Sequence, residues 1–251
     1  MVFVRRHIRG LVYLSAGILA AVIYFVEINA GNSVNLLNIK LTQDYGLVSL
    51  VGLYLVLLVS PLYSFLPGLK FKGDAIRARR AIGVSTFYFA LVHSSLGFYG
   101  LLGGFAGLSF LPGDYLLSEI FGALALLILF LMAASSTDAA VANLGKRWKF
   151  LHRFVYGAAI LILIHTLIVG SDYLDLSRTI AQFTIVLVLL LLFLEALRLN
   201  KYFVNKSVAS RRYSPIFILM VILLVLLAVV LYAPGSYFGS LSVHAHHNIS
   251  Q

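Results

Sequence analysis

The chain has 251 residues, of which 61% are apolar and only 11% are charged. Soluble domains carry roughly 25% charged residues, so most of this surface does not face water, and a soluble globular protein is excluded. The net charge of +10 is spread over short clusters between apolar segments, which excludes a nucleic-acid-binding face. The absence of cysteine excludes disulfides, thiolate metal sites and cysteine nucleophiles.

Apolar segments follow one another along the whole chain, and a helix that spans a bilayer needs about 20 such residues. Seven segments qualify, at about residues 11–26, 46–66, 81–103, 116–134, 150–170, 179–197 and 215–232. The first follows Arg5, Arg6 and Arg9, and its length indicates a retained signal anchor rather than a cleaved signal peptide. The sequence therefore predicts an all-α integral membrane protein, a bundle of about seven transmembrane helices.

The basic residues predict the orientation of this bundle. All Lys and Arg residues except Lys40 and Arg178 lie before the first segment, in alternate connections or, for Arg153, at the start of the segment that follows such a connection. Basic loops face the cytoplasm, so we expect a cytoplasmic N-terminus and a C-terminus outside, in a multi-pass protein of the cell (inner) membrane.

Three regions follow from this topology. Residues 1–45 form a signal-anchor helix and a polar outside loop at 29–45, and residues 46–200 form the helical core. Residues 201–251 form a seventh helix and an exported tail with His244, His246 and His247. The tail histidines could bind a transition metal, but a solvated tail is the simpler interpretation.

Two histidines lie deep within predicted helices, where ionisable side chains are costly and indicate function. His93 lies 13 residues after Arg80 in the third helix, and His165 lies 12 residues after Arg153 in the fifth. At 1.5 Å per residue these offsets are roughly 20 Å and 18 Å. Two parallel helices therefore place a histidine at nearly the same depth, where the pair can hold a metal or a haem iron from opposite sides.

The residues that follow His93 favour haem over a bare metal ion. Gly97, Gly100 and Gly104 lie at i+4, i+7 and i+11, which places them on the face of His93 and leaves room for a flat porphyrin. The alternative is that these glycines serve packing between helices. A zinc or copper site would require further ligands, and no Cys, Asp or Glu lies at that depth.

His152, near the cytoplasmic end of the fifth helix, has two interpretations. Its offset of 13 residues from His165 turns it about 140° away on an ideal helix. It is either an interfacial histidine of a basic, aromatic belt with Trp148 or a further ligand.

A second class of function, a haem-free transporter that uses membrane histidines as a proton relay, would require acidic residues or broken helices near the midplane. We find neither in the sequence.

Two stretches of the chain resemble the ferric reductase-like transmembrane domain superfamily. The first runs from Arg79-Arg80-Ala-Ile-Gly to Phe-Ala-Leu-Val-His93, and the second is Leu144-Gly-Lys-Arg-Trp-Lys-Phe-Leu-His152-Arg, followed by His165. Within that superfamily the chain is similar to the haem-binding membrane subunit of the bacterial methionine sulfoxide reductase system. The similarity covers roughly residues 45–200.

The resemblance implies a haem b protein that passes electrons across the membrane, with His93, His152 and His165 at the ligand positions of the family. One haem is expected between His93 and His165. A second is left open, because the oxidases of the superfamily usually have two histidines about 14 residues apart on the third helix. Here the residues 14 positions before and after His93 are Arg79 and Gly107. The implied donor is a cytoplasmic flavin reductase or quinol, so that flavin or quinone is bound only transiently. The implied acceptor is an exported redox partner or ferric ion.

Overall fold

The structure, a computed structural model, describes residues 2–170, 177 and 179–205. The chain divides into two units, Met1–Val169 and Gly170–Gln251. Every regular element within the described residues is helical, which confirms the predicted all-α class. The predicted seventh helix and the three tail histidines lie outside the described residues.

The helices of the first unit are, in chain order, α1 (Val2–Asn29), α2 (Val34–Phe65), α3 (Lys72–Ser95), α4 (Phe105–Leu108), α5 (Gly113–Ala134), α6 (Asp138–Leu144), α7 (Lys146–Leu151) and α8 (Val155–Val169). A π-helical turn, Leu96–Leu101, continues α3, and a 3-10 turn, His152–Phe154, joins α7 to α8. The described part of the second unit contains α9 (Thr179–Asn205).

Six helices in the described part are long and apolar enough to cross a membrane. They are α1, α2, α3 with its π turn, α5, α7 with α8, and α9. Each matches one of the first six predicted segments to within two residues at its C-terminal end or contains it whole, and most begin before it because polar residues at the helix ends lower the local hydropathy. The prediction of these six spans is confirmed, whereas the side of the membrane on which each end lies stays a prediction.

The predicted outside loop at 29–45 is wrong for residues 34–45, which form the first turns of α2. Leu41 and Tyr45 lie one turn apart and therefore share a helix face. Both belong to a buried cluster with Ala20 of α1 and Phe89 of α3. The Tyr45 hydroxyl donates a hydrogen bond to the Ala20 carbonyl at 3.0 Å. Among its polar residues this segment thus has an apolar stripe that packs against α1 and α3 and makes the segment helical.

Helix α3 has the central place in the first unit. It packs against α1, α2 and α5, while α5 packs in turn against α8. Helix α2 also contacts α8. The third and fifth spans therefore share two neighbours, α2 and α5.

The outer surfaces of these helices are strongly apolar. Leu14 and Phe25 of α1 are 60% and 61% exposed, and Ile160 of α8 is 60% exposed. Such side chains in water would form a large apolar patch of the kind that marks an interaction surface. In a bilayer they face lipid, which agrees with the membrane assignment.

Candidate functional site

His93 lies in the last turns of α3 and turns one ring nitrogen towards α2. Its Nδ1 lies 2.8 Å from the carbonyl oxygen of Thr42. A backbone carbonyl can only accept, so Nδ1 carries the hydrogen and donates it. The lone pair of the neutral ring is then on Nε2, the nitrogen available for a metal.

His165, on α8, repeats this arrangement against α5. Its Nδ1 lies 2.9 Å from the carbonyl oxygen of Ser118, so here too Nδ1 is the donor and Nε2 holds the lone pair. The Ser118 hydroxyl lies 3.1 Å from the same Nδ1 and donates to the backbone carbonyl of His165 at 3.2 Å. Ser118 is fully buried, so this contact is shielded from solvent.

The two histidine rings face each other across the space between α3 and α8. Their centroids are 6.2 Å apart, and their planes are nearly perpendicular, at 84°. A metal–imidazole bond is about 2.0–2.1 Å long and the ring centre lies roughly 1 Å further, so two axial ligands of one metal have centroids roughly 6 Å apart. The observed separation fits two imidazoles that hold one iron between them, and the ligation itself stays a prediction.

The rest of the surroundings does not fit a bare metal ion. Among the described residues, no group of three or more His, Asp or Glu side chains lies close enough to hold one. Two imidazoles alone are too few for a structural zinc site, which takes four protein ligands. The pair does fit haem, whose porphyrin supplies the remaining iron ligands.

The three glycines predicted to line the porphyrin do not share a continuous helix face with His93. The π turn at Leu96–Leu101 is wider than an α-turn, so the α-helical offsets no longer apply. A Cβ on Gly97 would contact Thr42, and one on Gly100 would contact Asn38, both on α2. These contacts favour the packing alternative for Gly97 and Gly100. Gly104 lies beyond the π turn with a φ of +77°, a conformation that favours glycine.

His152 is not brought next to His93 or His165 by any described ring contact or hydrogen bond. Its Nε2 lies 3.2 Å from the Ser135 hydroxyl, and its ring stacks on Trp148 with centroids 4.0 Å apart. The Trp148 indole N–H donates to the Ser135 carbonyl at 2.9 Å. This packing matches the interfacial interpretation, and a ligand role for His152 stays a prediction.

An ion-pair cluster ties together one end of the bundle. Arg9 of α1 and Arg80 of α3 both reach the carboxylate of Asp138, at 2.9 Å and 2.6 Å. Hydrogen bonds donated by Arg9, with the larger effect, and by Arg80 hold the pKa of Asp138 below its usual value. The sequence places Asp138 in a loop between two spans, but nothing in its pattern predicts which cations it would meet.

The sequence also does not reveal the residues that hold the two candidate ligands. Thr42 falls in the segment predicted to be a loop, and Ser118 is one small polar residue at the start of an apolar run. Polar side chains inside membrane helices tend to bond to a neighbouring helix. That signal could have singled out Ser118, but not the histidine it contacts.

Comparison with known proteins identifies the family to which this sequence is similar. The family model described as ferric reductase like transmembrane component matches residues 45–163. The protein-methionine-sulfoxide reductase heme-binding subunit MsrQ of Enterobacter sp. (strain 638) is 37% identical over 163 residues, which are 62% of this chain and 74% of the relative. This chain belongs to the MsrQ family. The predicted family is therefore confirmed, and the chain is an integral membrane protein.

Two further MsrQ proteins show the same likeness. The one from Cronobacter sakazakii (strain ATCC BAA-894) is 40% identical over 126 residues, 49% of this chain and 60% of the relative. The one from Azospira oryzae (strain ATCC BAA-33 / DSM 13638 / PS) is 33% identical over 163 residues, 64% of this chain and 67% of the relative. The segment matched by the family model contains His93 and His152 and ends two residues before His165.

Proposed function

We propose that this MsrQ family member holds a haem b between His93 and His165 and passes electrons across the cell inner membrane. The observation that carries the proposal is the facing pair of imidazoles, 6.2 Å apart. Each ring donates its Nδ1 hydrogen to a backbone carbonyl and so leaves Nε2 for iron. The names of the relatives, which describe a heme-binding subunit, support the same cofactor.

The protein's part in this function is positioning and insulation. His93 and His165 would fill both axial positions of the iron, which leaves no open position for oxygen or substrate. Haem supplies one-electron redox chemistry when bound, and the surrounding helices set its potential through ligation, hydrogen bonding and low dielectric. The function proposed is therefore electron relay, without bond-making by side chains.

The partners belong to the same proposal. A cytoplasmic flavin reductase or quinol would donate electrons, and an exported redox protein would accept them. The relatives are described as subunits of a methionine sulfoxide reductase, which supports a reductase of that class as acceptor. The description of the matching family supports ferric ion as the other candidate.

We propose one haem per chain. His93 and His165 face each other, whereas His152 contacts Ser135 and Trp148 and meets no second imidazole among the described ring contacts. A second haem would require a ligand opposite His152. Haem quantified per polypeptide tests this number directly.

Replacement of either facing histidine tests the proposed cofactor. We expect the purified chain to show the Soret band of a low-spin haem, and His93→Ala and His165→Ala each to lose it, because one imidazole cannot complete the axial pair. The measurement is an absorption spectrum of protein from a haem-replete host, with and without dithionite. His7→Ala, outside the candidate site, is the control and should keep the band. A colourless wild-type protein would contradict the proposed function.

A further inference from the structure

The two facing histidines rest on the same structural device, once on α2 and once on α5. The acceptor for His93 is the Thr42 carbonyl, and the residue four positions later is Gly46. The acceptor for His165 is the Ser118 carbonyl, and four positions later comes Gly122. We call each Ser/Thr-x-x-x-Gly segment a histidine seat.

Helix geometry explains why glycine stands at the fourth position of a seat. In an α-helix, the carbonyl of residue i accepts the N–H of residue i+4, so its second lone pair lies beside that later residue. A Cβ on Gly46 would lie 2.7 Å from His93 Nδ1, and one on Gly122 would lie 3.1 Å from His165 Nδ1. In both seats the nearest obstructed atom is the nitrogen that makes the hydrogen bond. Glycine therefore lets the ring reach the carbonyl.

We propose that the two histidine seats position the axial ligands and tune the reduction potential of the haem between them. This inference rests on the proposed function. A hydrogen bond donated by Nδ1 raises the basicity of a metal-bound imidazole, and a more basic ligand favours ferric over ferrous iron. The seats also fix the direction in which each ring lies, and hence the nearly perpendicular planes at 84°.

Ordinary helix packing is the competing explanation, since glycines in membrane helices commonly allow close approach. The chain offers a matched comparison on the same helix. A Cβ on Gly52 of α2 would lie 2.5 Å from the Thr86 hydroxyl of α3, so Gly52→Ala disturbs the α2–α3 contact without touching a histidine. If Gly46 served packing alone, Gly46→Ala and Gly52→Ala would have similar effects on the haem.

The experiment compares Gly46→Ala, Gly122→Ala and Gly52→Ala in the full chain, purified with haem. The readouts are haem content, the electron paramagnetic resonance spectrum of the ferric protein and the midpoint potential. Perpendicular imidazoles give a strongly axial low-spin spectrum with a large maximum g value. We expect both seat variants to change this spectrum and to shift the midpoint potential upwards, and we expect Gly46→Ala to bind less haem than the wild type. Gly52→Ala should keep the wild-type spectrum and potential.

The variants also separate the possible failures. Wild-type potentials and spectra in both seat variants would overturn the inference, and so would equal shifts in Gly52→Ala. If Gly46→Ala does not fold, Gly122→Ala decides, because its contacts of 3.1 and 3.2 Å require the ring to move only slightly. Absence of haem from the wild-type chain would instead contradict the proposed function.

Discussion

At the scale of single residues, the partner of each facing histidine is a neutral backbone carbonyl. A carboxylate in that place would draw the Nδ1 proton more strongly and make the ring a more anionic ligand. The carbonyls of Thr42 and Ser118 accept at 2.8 and 2.9 Å, so they fix the tautomer with a moderate effect on the ring. His165 has one further contact, the hydroxyl of Ser118.

Ser118→Ala tests how much that hydroxyl contributes. We expect the haem spectrum to persist, because residue 118 still offers its backbone carbonyl. The free energy of unfolding should fall by about 1 kcal/mol, the usual contribution of one intramolecular hydrogen bond. The measurement is thermal or denaturant unfolding in detergent, followed through the Soret band.

Ser95→Ala is the matched control, because Ser95 also donates to a helix carbonyl but is exposed. It should leave stability nearly unchanged. Loss of the Soret band in Ser118→Ala would show that the hydroxyl, rather than the carbonyl, holds His165 in place.

At the scale of helices, the fifth span is not one straight helix. Gly145, with a φ of +50°, separates α6 from α7, and the 3-10 turn at His152–Phe154 joins α7 to α8. Trp148 connects this junction to the end of α5 through its hydrogen bond to Ser135, and it stacks on His152 within the junction. The angle of about 140° that an ideal helix would place between the side chains of His152 and His165 therefore does not apply to this span.

Trp148→Phe should loosen the junction while it keeps an aromatic ring beside His152. The indole N–H is lost, so the Ser135 carbonyl loses a donor, at a cost of about 1 kcal/mol. We expect faster amide hydrogen exchange in residues 146–154, measured by mass spectrometry. The haem that we propose between His93 and His165 should not change.

Lys149→Gln provides the comparison for this experiment, because Lys149 lies in the same short helix and is exposed. Its exchange should resemble that of the wild type. Unchanged exchange in Trp148→Phe would mean that the hydrogen bond does not hold the junction.

At the scale of the molecule, one exposed carboxylate connects elements that are distant in sequence. Asp138, in the first turn of α6, pairs with Arg9 of α1 and Arg80 of α3. Arg80 also donates to the Ser136 carbonyl at 2.8 Å. The first and third spans are therefore fastened to the connection that leads to the fifth.

Asp138→Asn should lower the melting temperature at neutral pH. Because the two arginines lower the pKa of Asp138 in the folded chain, its stabilisation is fully present above the ordinary carboxyl pKa. It is lost as the pH falls through the lowered value. The difference between wild type and variant should therefore shrink in acid, as measured by thermal unfolding across pH.

Asp114→Asn, which removes another exposed negative charge, is the control and should not show this difference. High salt should also weaken the effect in the wild type, since exposed ion pairs are screened. A variant as stable as wild type at neutral pH would contradict a fastening role for Asp138.

The sequence predicts the features that depend on composition and on one-dimensional spacing. Six spans follow from hydropathy, and the meeting of His93 with His165 follows from their distances to the flanking basic residues. The features that it does not predict depend on neighbours in space. Thr42 lies in a polar stretch that is helical because it packs against α1 and α3. The π turn after His93 changes the angular spacing of the residues that follow, so Gly97, Gly100 and Gly104 do not lie on the predicted face.

The use of main-chain acceptors has a consequence for the evolution of this site. Every amino acid has a backbone carbonyl, so a point mutation at Thr42 or Ser118 cannot delete the acceptor. The vulnerable positions are Gly46 and Gly122, where almost any replacement adds atoms beside a ring nitrogen. Because Thr42 and Ser118 are buried, a residue of similar or smaller size at either position should keep the hydrogen bond, whereas one helical turn later even alanine should disturb it. The two hydrogen bonds of the histidines therefore depend on the shape of two helices rather than on the chemistry of two side chains.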